Sequence, residues 1–156
     1  MKDLVNYELA LLAKECKYQK FKITEDIEGQ FFWYDKDKKL YSGYFNNGYF
    51  NNGSRTGALT NDPVLGAVYS NACEAPTIYE LQTWLREIHG LHISIDLYSW
   101  TEWFFDIIGA GEQYKNVENY PHCIYDHNPT TDKTYKTHKE ALTEALFEGL
   151  KLIKNE

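Results

Sequence analysis

The hydrophobic positions between Pro76 and Tyr98 change from a helical period to strict alternation at Gly90. Apolar residues first recur every three or four positions, which predicts a helix with one buried stripe: Ile78, Leu81, Leu85 and Ile88, with Trp84 beside it. Apolar and polar residues then alternate from Leu91 to Tyr98, which predicts a half-buried strand. Gly90 is the expected helix stop.

Two further helices are predicted from the same period. The first runs from Leu4 to about Tyr18, with Asp3 or Asn6 as its cap, and Cys16 lies on its apolar stripe. The last runs from about His138 to Lys154, and Gly149 in its middle requires close packing to offset its poor helix propensity. Capping-box spacing precedes two of the helices, at Thr77 with Glu80 and at Thr137 with Glu140.

The strands arrive as hairpins. Gln30 to Tyr34 and Leu40 to Tyr44 flank the polar turn Asp35 to Lys39, and the alternating segment after Gly90 continues through Trp103, Phe105 and Ile107 after a turn near Ser99 to Glu102. Cys123 to Tyr125 is predicted to be a short edge strand. We therefore predict one α+β domain over 1–156, with an antiparallel sheet, about three helices on one face, and 91–98 as a central strand whose polar side chains lie on the other face.

A direct repeat, YFNNG at Tyr44–Gly48 and again at Tyr49–Gly53, carries two Asn-Gly turn signals. Only three residues lie between the two signals, so useful strands cannot flank both. We expect residues 45–62 to form one long loop with at most one hairpin tip.

Composition and charge reduce the number of functional classes to which the chain could belong. The net charge of −7 argues against a nucleic-acid surface, because such binding depends on Lys and Arg. Between Ser94 and Asp132 seven acids accompany a single Lys, which gives either a solvated edge or a patch for a basic partner. Three widely spaced cysteines favour a reducing compartment, and no apolar run is long enough to span a bilayer. We expect a cytoplasmic protein with no membrane contact.

Two weak sites could carry chemistry. His92 and Asp96 share the polar strand face, and with nearby Glu102 they could act as an acid/base group; the alternative is the ordinary polar face of a sheet. His122, Cys123 and His127 offer zinc ligands, with Cys73 or His92 as a distant fourth. Neighbouring side chains on a strand point to opposite faces of the sheet. The alternative that these residues form an ordinary edge segment is therefore favoured, and no cofactor is expected.

Aromatic residues around the first hairpin exceed what one core needs, so part of them should form a surface for a partner or a second copy. The candidate binding residues are Tyr44, Phe45, Tyr49, Phe50, Trp84 and Arg86.

Three blocks resemble a group of small uncharacterised proteins of phages, prophages and mobile elements of gut anaerobic bacteria: Tyr7–Ala10, Leu81–Gly90 and Glu140–Ile153. The resemblance covers about a third of the chain. It implies a bacterial or phage cytosol and an accessory role, and it carries over no functional residue.

Together these features favour a non-enzymatic accessory protein that binds another protein, with a host protein as the expected partner, and that forms a homodimer. The alternative is a small-ligand-binding protein or hydrolase that uses the polar sheet face around His92 and Asp96.

Overall fold

The computed structural model describes residues 3–18, 29–46, 49–51, 56–58, 73–110, 122–125 and 132–154. Helices and antiparallel strands combine in it as an α+β fold, which confirms the predicted class. None of the helices within these residues is long and apolar enough to cross a membrane. The chain divides into two compact units, Met1–Thr77 and Ile78–Glu156, and each is described by itself.

The first unit joins one helix to a sheet whose strand order is β4-β3-β2-β1-β5. Its elements are α1 (Tyr7–Glu15), β1 (Gly29–Tyr34), β2 (Leu40–Asn46), β3 (Tyr49–Asn51), β4 (Thr56–Ala58) and β5 (Cys73–Glu74). All neighbouring strands are antiparallel, so β1 and β2 form the predicted aromatic hairpin.

The expectation for the YFNNG repeat was wrong. β3 pairs with β2 on one side, where Asn46 is opposite Tyr49, and with β4 on the other, where Asn51 is opposite Thr56. A three-residue strand is too weak to stand alone, but here it is the inner member of a ladder and is paired on both edges. The prediction considered only the number of residues between the two turn signals. It did not take into account that strands paired on both edges stabilise β3.

α1 is shorter than the predicted Leu4 to Tyr18, because Leu4 forms an isolated β-bridge with Thr77 and the helix begins at Tyr7 and ends at Glu15. Asn6 is the cap, and its side-chain oxygen accepts a hydrogen bond from the Leu9 N–H at 2.9 Å. Val5, Leu9 and Cys16, which recur at the helical spacing of the predicted apolar stripe, are buried, and Leu12 at the same spacing is half-buried.

The β1–β2 turn is the predicted polar segment. Asp35 Oδ1 accepts hydrogen bonds from the N–H groups of Asp37 at 2.8 Å and Lys39 at 2.9 Å. Lys38 has a φ of 61° and takes the left-handed position that a glycine would fill more easily. Its ammonium group contacts the Glu8 carboxylate at 2.9 Å, so the turn is joined to α1.

The second unit packs two helices on a sheet of order β6-β7-β8. Its elements are α2 (Ile78–His89), β6 (Leu91–Ser99), β7 (Glu102–Gly109), β8 (His122–Tyr125) and α3 (His138–Lys154). β7 is the central strand and β6 lies at an edge, which corrects the expectation that 91–98 would be central.

The core of this unit lies where α2, α3 and β7 meet. Leu81, Leu85, Phe105, Ile107, Leu146 and Leu150 are almost fully buried. A Cβ atom placed on Gly149 would lie 3.3 Å from Leu85 Cδ1 and 3.9 Å from Ile107 Cδ1. The close packing predicted for this glycine is therefore confirmed.

The ends of both helices follow from local chemistry. Thr137 Oγ1 accepts the Glu140 N–H at 3.1 Å, and the Glu140 carboxylate reaches back to the N–H of Lys136 rather than that of Thr137. α2 begins directly after Thr77 and ends before Gly90, whose φ of 61° is the left-handed stop that the sequence predicted.

Candidate functional site

The β6–β7 hairpin places its side chains on two faces by a simple register. Ile95 is opposite Phe105 and Ile93 is opposite Ile107, so these residues share the face that α2 and α3 cover. His92 is opposite Ile108 and Ser94 is opposite Asp106 on the other face. The predicted polar face of this strand is present, and His92 and Asp96 are both exposed.

The apolar face is not covered along its whole length, which corrects two sequence predictions. Leu97, expected to be buried, is 56% exposed, and Ile88 on the predicted stripe of α2 is 64% exposed. Leu91 and Ile107 on the same face are almost fully buried. The helices therefore cover one end of the hairpin and leave the other end open.

Two aromatic side chains project at the hairpin tip. Ser99 is opposite Glu102, so Trp100 and Thr101 form a two-residue connection, and Trp100 is fully exposed. Tyr98, two residues earlier in β6, is 45% exposed. We call Tyr98 and Trp100 the tip aromatics. An exposed Trp in the turn and an exposed Tyr at the adjoining end of β6 are typical of an anchor for another protein.

The base of this tip is fixed by one carboxylate. Glu102 accepts hydrogen bonds from the Thr134 hydroxyl at 3.0 Å and from the Ser99 hydroxyl at 3.4 Å. Next to it, the N–H and C=O of Trp103 bond to the C=O and N–H of Tyr135, at 2.8 and 2.9 Å. The tip therefore stands on a braced hairpin, which lowers the entropy lost when a partner binds.

The candidate acid/base residues do not meet within one chain. Ser94 Oγ donates to Asp96 Oδ2 at 2.9 Å, but His92 is four residues from Asp96 on an extended strand. At about 3.3 Å per residue the two backbones are roughly 13 Å apart, beyond hydrogen-bond reach. The third candidate, Glu102, is engaged in bracing the tip.

Four of the candidate binding residues lie in the first unit. Tyr44 and Phe45 belong to β2, Tyr49 and Phe50 belong to β3, and Phe45 is opposite Phe50 in the ladder. Their side chains lie outside the part of the chain that the structure describes, so their role in binding stays a prediction.

The other two candidates lie on α2. Trp84 is half-buried and meets the His89 ring edge-on, with 4.5 Å between the ring centroids. Arg86 is exposed, and its guanidinium is 3.9 Å from the Glu87 carboxylate. A half-buried Trp that already packs on its own helix has less surface to offer than Trp100.

The zinc hypothesis gains no support from the described residues. Cys123 is exposed in β8, and its thiol donates to the Tyr125 carbonyl oxygen at 3.4 Å. Among the residues that the structure describes, no three potential ligands cluster as a metal would require. The His122 side chain and His127 lie outside those residues, so the full candidate set stays untested.

Two buried groups have shifted acidity. Burial raises the pKa of the Cys73 thiol to about 11. Burial, reinforced by the Glu144 carboxylate, raises the pKa of Tyr135 to about 12. Both groups are neutral at physiological pH, and Cys73 is an inert core thiol rather than a nucleophile.

The tip aromatics were missed as site residues by the sequence argument, although a signal was present. The turn was predicted at Ser99 to Glu102, and a Trp in a tight turn cannot reach the core of its own sheet. Placing Trp100 in that turn was sufficient to predict its exposure.

Comparison with protein-family models, with curated proteins and with solved structures finds no match to this chain. Its function must therefore be argued from its own residues.

Proposed function

We propose that this chain is a phage or mobile-element accessory protein that works by binding a host protein, with the tip aromatics as its anchor. The observation that carries the proposal is the full exposure of Trp100 on a two-residue turn. Trp is the residue type most enriched among those that dominate binding energy at protein interfaces.

The chemistry of the partner follows from the anchor and the charge. An indole ring on a rigid turn fits an apolar pocket, where its ring is desolvated and its N–H finds an acceptor. The net charge of −7 steers the chain toward a basic surface, so we expect a pocket with Lys or Arg at its rim.

The alternative function, a ligand-binding protein or hydrolase around His92 and Asp96, receives no support from the strand geometry. The two side chains stand apart on an exposed face, and Ser94 lies between them.

Site-specific photo-crosslinking tests the proposal. A photoreactive phenylalanine analogue replaces Trp100 in one variant and Leu40, an exposed residue of the first unit, in a control. Both are expressed in cells of a gut anaerobic bacterium. We expect one host protein to be captured from position 100 and not from position 40.

Direct binding then measures the anchor. With the captured protein purified, Trp100→Ala should weaken binding by at least about 30-fold, which corresponds to a hot-spot residue, while Leu40→Ala leaves it unchanged. Capture of the same proteins from both positions, or unchanged affinity of Trp100→Ala, would contradict the proposed function.

A further inference from the structure

Within the described part of the chain, the edge of β6 that faces away from β7 has no strand beside it. The Ala110 N–H bonds to the Gly90 carbonyl at 2.8 Å, and Gly90 is aligned with Ala110 when the register is continued by one residue. Hydrogen-bonded and non-bonded pairs alternate in an antiparallel ladder, so His92, Ser94 and Asp96 bond to β7.

From Leu91 to Leu97, before the register shift near the hairpin tip, the odd-numbered residues of β6 therefore point their N–H and C=O groups outward. The backbone of Trp103, which is opposite Leu97, supports this assignment independently. Its N–H and C=O both form hydrogen bonds with Tyr135 on the other side of β7, so neither is directed at β6. Within the described residues, no strand pairs with the outer edge of β6. Ile93 and Ile95 offer donors and acceptors there, and such an edge is a template for another strand.

We propose that this edge pairs with β6 of a second copy, antiparallel and centred on Ser94, so that two sheets join into one of six strands. In this register His92 is directly opposite Asp96 of the partner subunit, and Asp96 is opposite the partner's His92. An imidazole and a carboxylate then face each other twice on the polar face.

The apolar face is complementary in the same register. Ile93 meets the partner's Ile95, and the exposed Leu97 meets the partner's Leu91. Ile88, in the last turn of α2 and three residues before Leu91, lies at the end that the partner's Leu97 approaches. The pairing would cover Ile88 and Leu97, the exposed large aliphatic side chains among the described residues of the second unit, and it leaves Trp100 free.

Shifting the centre by one residue removes this complementarity. Centred on Ile95, the strands would place Asp96 opposite the partner's Ser94 and leave His92 without an acid. Centred on Ile93, they would place His92 opposite the partner's Ser94. The Ser94 register is the one that places His92 opposite Asp96 at both ends and keeps both aliphatic pairs. The net charge of −7 on each copy opposes approach, so the pairing is favoured by physiological salt, which screens that repulsion.

A charge exchange in the full-length protein tests this pairing by sedimentation velocity. His92→Glu places two carboxylates opposite each other, and Asp96→Lys removes the acid that His92 faces. Each variant alone should weaken dimerisation by at least about 100-fold. An equimolar mixture should restore a dimer with one chain of each kind, because the introduced charges then face each other and the native pair is kept.

Disulfide trapping tests the centre of the register in a Cys123→Ser background. Residue 94 and its copy would be a non-bonded pair with Cα atoms about 4.5 Å apart, within disulfide range. Ser94→Cys should therefore form a covalent dimer on oxidation. Asp96→Cys is the matched control, since its copies would be roughly 13 Å apart.

Several results would overturn the pairing: a wild-type chain that is monomeric up to about 1 mM, single-charge variants that dimerise like the wild type, a mixture that stays monomeric, or trapping at position 96 instead of 94. Circular dichroism confirms that each variant is folded, and Ile95→Pro replaces any variant that is not. That change removes an outward N–H while it leaves the bonds to β7 intact, so it should also abolish the dimer. None of these changes alters Trp100, so this inference and the proposed function can fail separately.

Discussion

Gly149 on α3 lies against Leu85 on α2 so closely that a Cβ atom on the glycine would be 3.3 Å from the Leu85 Cδ1 methyl. Gly149→Ala gains about 1 kcal/mol of helix propensity. It also overpacks a leucine that is fully buried, at a cost of about 1–3 kcal/mol.

We therefore expect Gly149→Ala to lower the free energy of unfolding by about 1 kcal/mol, and Gly149→Val by more than about 2 kcal/mol. Urea denaturation of the two variants measures the difference. An alanine variant more stable than the wild type would mean that Leu85 moves aside at little cost.

Glu102 braces the tip that carries Trp100. Glu102→Ala removes the acceptor for Thr134 and Ser99, so we expect faster amide hydrogen exchange across the turn and a helical circular dichroism signal like that of the wild type. Glu140→Ala, which removes another carboxylate from the same unit, is the control and should leave the exchange of Thr101 unchanged. Equal protection of Thr101 in both variants would contradict the bracing role.

The three thiols should react at different rates. Cys123 is exposed, whereas Cys16 and Cys73 are buried, and the pKa of Cys73 is raised to about 11. Iodoacetamide reacts with thiolates, so at pH 8 mass spectrometry should find Cys123 modified first and the other two only after denaturation. Rapid modification of Cys73 in the native protein would show that its surroundings open readily.

Alkaline pH should destabilise the protein through two buried groups. Tyr135 has a pKa raised from 10.0 to about 12, and Cys73 from 9.0 to about 11. The unfolded chain loses these protons first, so the stabilisation is full below pH 9 and is lost as pH rises from 9 to 12.

Thermal melts across that range should show a falling Tm, and Tyr135→Phe should reduce the fall above pH 10, because phenylalanine has no proton to lose. Tyr41→Phe, at an exposed position, is the control. If Tm fell identically with rising pH in the wild type and in Tyr135→Phe, Tyr135 would not contribute to the loss of stability at alkaline pH.

Much of the fold could be predicted because the hydrophobic patterns of its helices and strands run over many residues and end at clear capping or stop signals. α3 runs from His138 to Lys154 as predicted, and Gly90 separates α2 from β6 as predicted. The YFNNG segment was mispredicted because the stability of β3 comes from β2 and β4 and not from its own three residues.

The surface was harder to predict for a different reason. Periodicity states which residues share a face, but not how far the covering layer extends along it. Leu91 and Leu97 have the same place in the pattern, yet the helices cover one and leave the other exposed. That no described strand lies on the outer side of β6 depends on strand order, which local sequence does not encode.

The position of α3 in the chain affects how the second unit is made. β6 and β7 leave the ribosome before the helix that shields Phe105 and Ile107, and 45 residues separate Gly109 from Lys154. At about 5–20 residues per second, the nascent hairpin waits roughly 2–9 s with its apolar side uncovered. That interval is when chaperones would engage this chain, and slower translation would lengthen it.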